Sequence, residues 1–136
     1  MFAGGGYKPL KIWCPFDTDT SNFPIVLRER GYDVVNTCTD FFQTPPPEGV
    51  NCVISNPPFS RKKDVLIRLA ELELPFVLIL PILFINGGVP FDYGHQLIMF
   101  RKRMFFDSPE GLLNKPRTNC VVLSNGLLKH DFTIIR

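Results

Sequence analysis

Residues 51–81 read NCVISNPPFSRKKDVLIRLAELELPFVLILP, with an amphipathic segment between two apolar runs. The runs are short and apolar at successive positions, which is typical of strands buried on both faces of a sheet. Between them, apolar residues recur at helical spacing: Val65, Leu66, Leu69, Ala70 and Leu72. Ser60 is the predicted N-cap of this helix, and Pro75 stops it. The segment therefore predicts a strand, a helix and a second strand parallel to the first.

The same alternation precedes this segment. KIWCPF (11–16) and YDVVNTC (32–38) read as strands, and apolar residues at helical spacing from Phe23 to Arg30 predict a helix between them. Gly31 suits the position just past the end of that helix. Strands that alternate with helices predict an α/β fold with a doubly wound, mostly parallel sheet.

The pattern changes after Asn86. HQLIMF (95–100) reads as a short helix or strand, and RMFFD (103–107) and TNCVVLSNGLL (118–128) read as strands. A turn-rich connection joins the last two, so we expect them to pair antiparallel as C-terminal edge strands.

Size and composition limit the function classes. At 136 residues the chain is predicted to form a single domain, 1–136, without a separate target-recognition domain. The longest apolar run, 75–85, is shorter than the roughly 20 residues of a membrane span. The four cysteines lack metal-ligand spacing, so we expect no metal site. Without a signal peptide, a reducing cytoplasmic location is expected.

Polar or unusual residues follow three of the predicted strands. These segments are CPFDTDTSN (14–22), TDFF (39–42) and SNPPFS (55–60). In open α/β sheets, ligands bind outside the carboxyl ends of the strands. We therefore expect the chemistry of this protein to lie there.

The corner at 56–59 has the composition of an amine-binding site. Pro57 and Pro58 have a fixed φ and no N–H, so the backbone after Asn56 is rigid and presents acceptors without competing donors. The Asn56 side-chain oxygen and the Pro57 carbonyl can accept both hydrogens of a planar NH2 group, while Phe59 offers a ring face for stacking. An ordinary proline turn is the alternative interpretation.

The Asn-Pro-Pro-Phe sequence after a strand resembles the catalytic signature of S-adenosylmethionine-dependent amino-methyltransferases. Most of the chain from residue 11 is similar to small phage-encoded N6-adenine DNA methyltransferases, and this resemblance implies a Rossmann-like fold of the class I methyltransferase type. It also implies S-adenosyl-L-methionine as cofactor and methyl transfer to the N6 amine of an adenine flipped out of DNA. Its catalytic residues would be Asn56, Pro57, Pro58 and Phe59.

The resemblance extends to the cofactor site, whose residues would be Cys14, Pro15, Phe16, Asp17, Asp19, Thr20, Asn36, Asp40 and Phe41. Asp40 would accept from the exocyclic amine of the cofactor, and Phe41 would have a stacking or a packing role. Asp17 or Asp19 could bind the cofactor's ammonium, although both could instead cap the following helix.

The chain departs from the family at several of these positions. Cys14 stands where an acid is usual, and Thr18 and Thr20 replace glycines that let the backbone approach the ligand. Asn36 or Thr37 replaces the acid that commonly holds the ribose hydroxyls. Only MFAGGGYKPL (1–10) precedes the first strand, so the family's N-terminal lid is predicted to be absent.

DNA is the expected partner. The net charge of +2 does not argue for nucleic acid by itself, but Arg61, Lys62 and Lys63 follow the corner directly and could grip the phosphate backbone. A solvated helix surface is the alternative for this triplet and for RKR (101–103). Sequence specificity would come from loops, a homodimer or a partner subunit.

Two other functions remain open at the level of sequence. Similar signatures methylate amines in RNA and the side-chain amide of protein glutamine. A non-catalytic binding module could also retain this fold and corner.

Overall fold

A seven-stranded mixed sheet organises the computed structural model, which describes residues 10–101 and 119–136. The strands are β1 Lys11–Cys14, β2 Asp33–Asn36, β3 Cys52–Ser55, β4 Phe76–Pro81, β5 Gln96–Phe100, β6 Cys120–Ser124 and β7 Phe132–Ile135. The helices are α1 Asn22–Glu29, α2 Lys62–Leu72 and α3 Ile82–Asn86, and short 3-10 turns cover Phe59–Arg61 and Val89–Asp92.

The strand order is β2-β1-β3-β4-β6-β5-β7. The pairs β1 with β2, β1 with β3, β3 with β4 and β5 with β7 are parallel, whereas β6 is antiparallel to both β4 and β5. The predicted α/β class with a mostly parallel sheet is therefore confirmed.

The C-terminal strands differ from the prediction in their placement. HQLIMF contains β5, and β5 pairs antiparallel with β6 as part of the sheet. However, β6 lies inside the sheet, and the strand at its edge is β7, which is parallel to β5. RMFFD lies outside the described residues. The β7 strand was not predicted, because its four residues are too few to establish a periodicity.

The helices begin and end close to the predicted positions. In α1, Leu27 is buried, and Gly31 follows the helix with a φ of 91°, a left-handed value that glycine adopts readily. The prediction that Ser60 caps α2 is wrong, because Ser60 lies within the preceding 3-10 turn and Arg61 occupies the N-cap position without a side-chain hydrogen bond. The helix α2 ends at Leu72, before Pro75, and Glu73 is its C-cap.

The core lies on both faces of the sheet. On one face, Leu27 of α1 belongs to the same cluster as Ile12 and Ile54. On the other face, residues Val65, Leu66 and Leu69 of α2 belong to a cluster with Trp13, Val53 and Phe41. The connection from β2 to β3 contains no helix, and Phe41 from this loop packs on Trp13 instead. The two longer helices thus cover opposite faces.

Two parts of the chain lie outside this description. They are residues 1–9 and residues 102–118. The first of them includes most of the segment 1–10, for which the absence of a lid was predicted. Within the described ranges, no helix has the length and apolar character that crossing a membrane requires.

Candidate functional site

The carboxyl ends of β1, β2 and β3 meet at one edge of the sheet, because these strands are adjacent and parallel. An open cleft of about 390 Å³ lies there, lined by Phe16, Cys38, Thr39, Asn56 and Pro58. Each of the three predicted segments contributes to the cleft, as expected from the general location of ligand sites in such sheets.

The corner after β3 contains an unsatisfied acceptor. Pro57 is buried and Pro58 is exposed, with a φ of −60° that suits the ring of proline. Asn56 lines the cleft, yet its Oδ1 atom is buried and has no hydrogen-bond partner in residues 10–101 and 119–136. A buried acceptor without a donor costs about 1–3 kcal/mol. A half-turn of the amide group would exchange Oδ1 with Nδ2, so Asn56 can present the oxygen to a ligand.

Two further polar atoms at this edge also lack partners. They are Asp17 Oδ2, in the loop after β1, and Ser55 Oγ, at the end of β3. Among the described residues, the remaining buried side-chain polar atom without a partner is Arg68 Nε in α2. Unsatisfied polar atoms therefore concentrate where β1 and β3, which are neighbours in the sheet, end.

The Asp17 carboxyl group is electrostatically perturbed. Burial raises its pKa above the ordinary value, and a hydrogen bond with Ser21 opposes this increase. A raised pKa in the folded state means that the charged form is poorly solvated there. Asp17 would consequently gain from a cationic partner.

We expect Asp17→Asn to raise the melting temperature at pH 7. A carboxyl group whose pKa is raised on folding stabilises the protein below its unfolded pKa, and this contribution is lost as pH rises through the folded pKa. The difference in melting temperature from wild type should therefore shrink at about pH 3, where the carboxyl is protonated in both states. Asp19→Asn is the control, because Asp19 is exposed; a similar gain there at pH 7 would contradict the role of burial.

Asp19 and Asn36 bind each other instead of lining the cleft. Asn36 Nδ2 donates to Asp19 Oδ1 at 2.9 Å, and Asn36 Oδ1 accepts from Arg28 Nη2 at 2.6 Å. Arg28 also donates to the Val34 carbonyl at 3.0 Å. These bonds connect the loop after β1 to the end of β2. Arg28 was missed by the sequence analysis, because its partners are brought to it by the sheet.

The threonines near the cofactor segment are also engaged. Thr18 and Thr20 have their Oγ1 atoms 3.1 Å apart, within hydrogen-bond distance. Thr37 Oγ1 accepts a hydrogen bond of 3.2 Å from the indole of Trp13. Thr37 thus orients a core side chain. The acid that holds the ribose in the family has no counterpart at Asn36 or Thr37, and both side chains are engaged within the protein.

Cys14 and Pro15 lie in the interior, whereas Phe16 reaches the cleft. Burial raises the pKa of the Cys14 thiol to about 12, with a further increase from the Asp17 charge and a decrease from Arg28. Cys14 is therefore a neutral, apolar side chain at the position where the resemblance implies an acid.

Asp40 and Phe41 have structural roles in the loop after β2. Asp40 Oδ1 accepts from the Phe42 N–H at 3.0 Å, although the exposed carboxylate retains further acceptor capacity. Phe41 is 1% exposed, and its ring centroid lies 5.4 Å from that of Trp13 and 5.3 Å from that of Phe16. Of the two roles predicted for Phe41, packing matches this geometry.

The side chains of the basic triplet differ in their contacts with the described residues. The Arg61 guanidinium lies 3.9 Å from the Phe42 ring centroid, and its Nε is 3.3 Å from Asp64 Oδ2. Lys62 Nζ donates to the Phe59 carbonyl at 2.9 Å. Lys63 is exposed, and its side chain forms no ion pair with the described residues. Of RKR (101–103), only Arg101 lies within the described ranges.

Cys38 and Thr39 were not predicted as site residues. Cys38 is exposed and has a φ of 48°, whereas Cys14, Cys52 and Cys120 are buried. The signal for these two residues was only their position just after a strand, because neither side chain is diagnostic of ligand binding.

Comparison with known proteins gives no family for this chain: no family model matches it, and no curated protein matches it significantly.

Proposed function

We propose that this chain transfers a methyl group from S-adenosyl-L-methionine to the N6 amine of adenine in DNA, on a Rossmann-like fold of the class I methyltransferase type. The observation that carries the proposal is the unpartnered Asn56 Oδ1, in a residue that lines the cleft, together with the unpartnered Asp17 Oδ2 in the loop after the adjacent strand β1. Unsatisfied polar atoms are costly in a folded protein, and a ligand that pairs with them would remove that cost.

The residues at the edge fit the cofactor in part. Asp17 suits the ammonium group, because its carboxylate is partly buried and one of its oxygens has no partner. Asp40 can accept from the exocyclic amine of an adenine. Asp19 and Asn36 already satisfy each other, so no residue is assigned to the ribose. When bound, the cofactor would supply an electrophilic methyl group.

The corner would hold the acceptor amine. Asn56 Oδ1 and the Pro57 carbonyl would accept its two hydrogens and turn the nitrogen lone pair out of conjugation with the ring. Phe59, which is half-buried, would stack against the base. The amine proton can leave after the transfer, so the corner requires no charged base.

The proposal is tested by calorimetric titration with S-adenosyl-L-methionine, followed by transfer of a labelled methyl group to duplex DNA of mixed sequence. Cys38 supplies a second readout: because it is exposed and lines the cleft, the bound cofactor should slow its alkylation. Alkylation of the unfolded chain is the control for reagent quality. Absence of heat, of protection and of transfer would favour a non-catalytic binding module.

The acceptor is tested in the same assay. RNA and a glutamine-containing peptide replace DNA at equal concentrations. Transfer to RNA or to the peptide, without transfer to DNA, would support the proposed chemistry of the corner but show that DNA is not the acceptor.

We expect Asp40→Asn to weaken cofactor binding while leaving the melting temperature nearly unchanged. Asparagine retains the side-chain oxygen that accepts from the Phe42 N–H, but it loses the negative charge that favours a cationic cofactor. The measurement is the same calorimetric titration on both proteins. An identical titration curve would mean that Asp40 stabilises the loop after β2 and does not contribute to cofactor binding.

Lys63→Gln should lower the salt dependence of DNA binding by about one unit in the log–log slope. Lys63 is exposed and forms no ion pair with the described residues, whereas Lys62 is bonded to the Phe59 carbonyl. The adjacent variant Lys62→Gln is the matched control and should change the slope less. Equal slopes in wild type and Lys63→Gln would indicate that the start of α2 is ordinary helix surface.

A further inference from the structure

The short helix α3 lies beside the corner. It follows β4 directly, and β4 is the parallel neighbour of β3, so α3 begins at the same edge of the sheet as the corner. Lys62 joins the two, because its Nζ is bonded to the Phe59 carbonyl and lies 5.1 Å from the ring centroid of Phe84 in α3.

An apolar side chain projects into solvent at this point. Leu83, the residue before Phe84, is 72% exposed and is the most exposed large hydrophobic side chain in residues 10–101 and 119–136. The adjoining 3-10 turn contacts α3 and contributes Phe91, which is 49% exposed, and Val89, which is 38% exposed. We call Leu83, Val89 and Phe91 the α3 patch.

The charge at the neighbouring start of α2 suggests what covers this patch. Arg61, Lys62 and Lys63 lie at the start of α2, and Lys62 reaches across to α3. Lys62 thus places positive charge at Phe84, the residue that follows Leu83, and such charge near a projecting apolar side chain suits a polyanion with an apolar interior. A nucleic-acid duplex has this composition, with phosphates outside and stacked bases inside.

We propose that Leu83 enters the base stack of duplex DNA and fills the space left when the target nucleotide is flipped into the cleft. The inference rests on the proposed function, because it requires a flipped base at the corner. Flipping breaks stacking on both sides of the target, and an apolar side chain in the gap offsets part of this loss. In a single strand there is no intact stack to fill, so Leu83 should not matter there.

The test compares Leu83→Ala with wild type on duplex DNA and on the same strand without its complement. We expect about a tenfold loss of transfer rate on the duplex, from the apolar surface that alanine no longer buries. On the single strand the two rates should be equal. Ile134→Ala is the matched control, because Ile134 is also exposed, at 53%, and lies in β7 at the far edge of the sheet.

A second readout does not depend on transfer. Permanganate oxidises unstacked thymines, so it marks the thymine opposite a flipped adenine in a duplex to which the protein is bound. Leu83→Ala should reduce this reactivity by a similar factor at saturating protein, whereas Ile134→Ala should not change it.

The outcomes separate the inference from the function on which it rests. Equal loss on duplex and single strand, or no loss on either, overturns the role of Leu83 while an active wild type retains the proposed function. If Leu83→Ala changes the oligomeric state of the protein and causes no duplex-specific loss of transfer, the α3 patch is a contact between copies of the chain. This outcome also overturns the proposed role of Leu83. A wild type that neither transfers methyl groups nor opens DNA contradicts both.

Discussion

Asn56→Ala is expected to abolish methyl transfer, with a loss on the order of 100-fold or more in the single-turnover rate. The amide oxygen is proposed to orient the acceptor amine, and alanine offers no acceptor. Stability should be nearly unchanged or slightly improved, because Oδ1 has no partner among the described residues and its removal leaves no donor there unsatisfied. The measurements are transfer at saturating cofactor and thermal unfolding of both proteins.

Asn51→Ala is the matched control for this experiment. Asn51 precedes β3, at the opposite end of the strand from Asn56, and its Oδ1 accepts from the Lys11 backbone N–H at 3.0 Å. We expect this variant to lose stability while its folded fraction retains transfer. Full activity in Asn56→Ala would refute the assignment of the corner.

Phe41→Ala should reduce the free energy of unfolding by about 3–5 kcal/mol, as expected for removing a large aromatic side chain from a core. Phe41 is 1% exposed and contacts the rings of Trp13 and Phe16. This loss would be a large fraction of the roughly 5–15 kcal/mol that stabilises a typical domain. Urea unfolding followed by Trp13 fluorescence measures it.

Phe42→Ala provides the comparison for this prediction. Phe42 is half-buried and its ring lies under the Arg61 guanidinium, so its removal should cost less than that of Phe41. A Phe41→Ala variant with wild-type stability and weakened cofactor binding would mean that Phe41 stacks on the ligand and does not support the core.

The predictability of the fold depended on local patterns. The segment 51–81 was assigned correctly as strand, helix and strand, because buried strands and an amphipathic helix differ in the spacing of their apolar residues. The N-cap at Ser60 was wrong because a 3-10 turn, Phe59–Arg61, precedes α2 and leaves Arg61 at the N-cap position. The edge strand β7 was missed because four residues are too few to establish a periodicity.

The candidate site was predictable to a similar degree. Asn56 and Pro58 are neighbours in sequence, so their joint position at the end of β3 followed from the strand assignment. The sequence did not decide whether Asp17 or Asp19 is the candidate for the cofactor's ammonium. That choice depends on Asn36, which β2 brings next to Asp19. The same holds for Lys62, whose interaction with Phe84 depends on the adjacency of β3 and β4.

The sequence by itself determined the α/β class, the rigid Asn-Pro-Pro-Phe corner and the order of its main elements. These features depend on periodicity and on the fixed φ of proline, both of which act over a few residues. The tertiary structure decided the strand order, the internal position of β6 and which polar atoms near the cleft lack partners. These depend on contacts between residues far apart in the chain, because a hydrogen bond is satisfied by whichever group the sheet brings within reach.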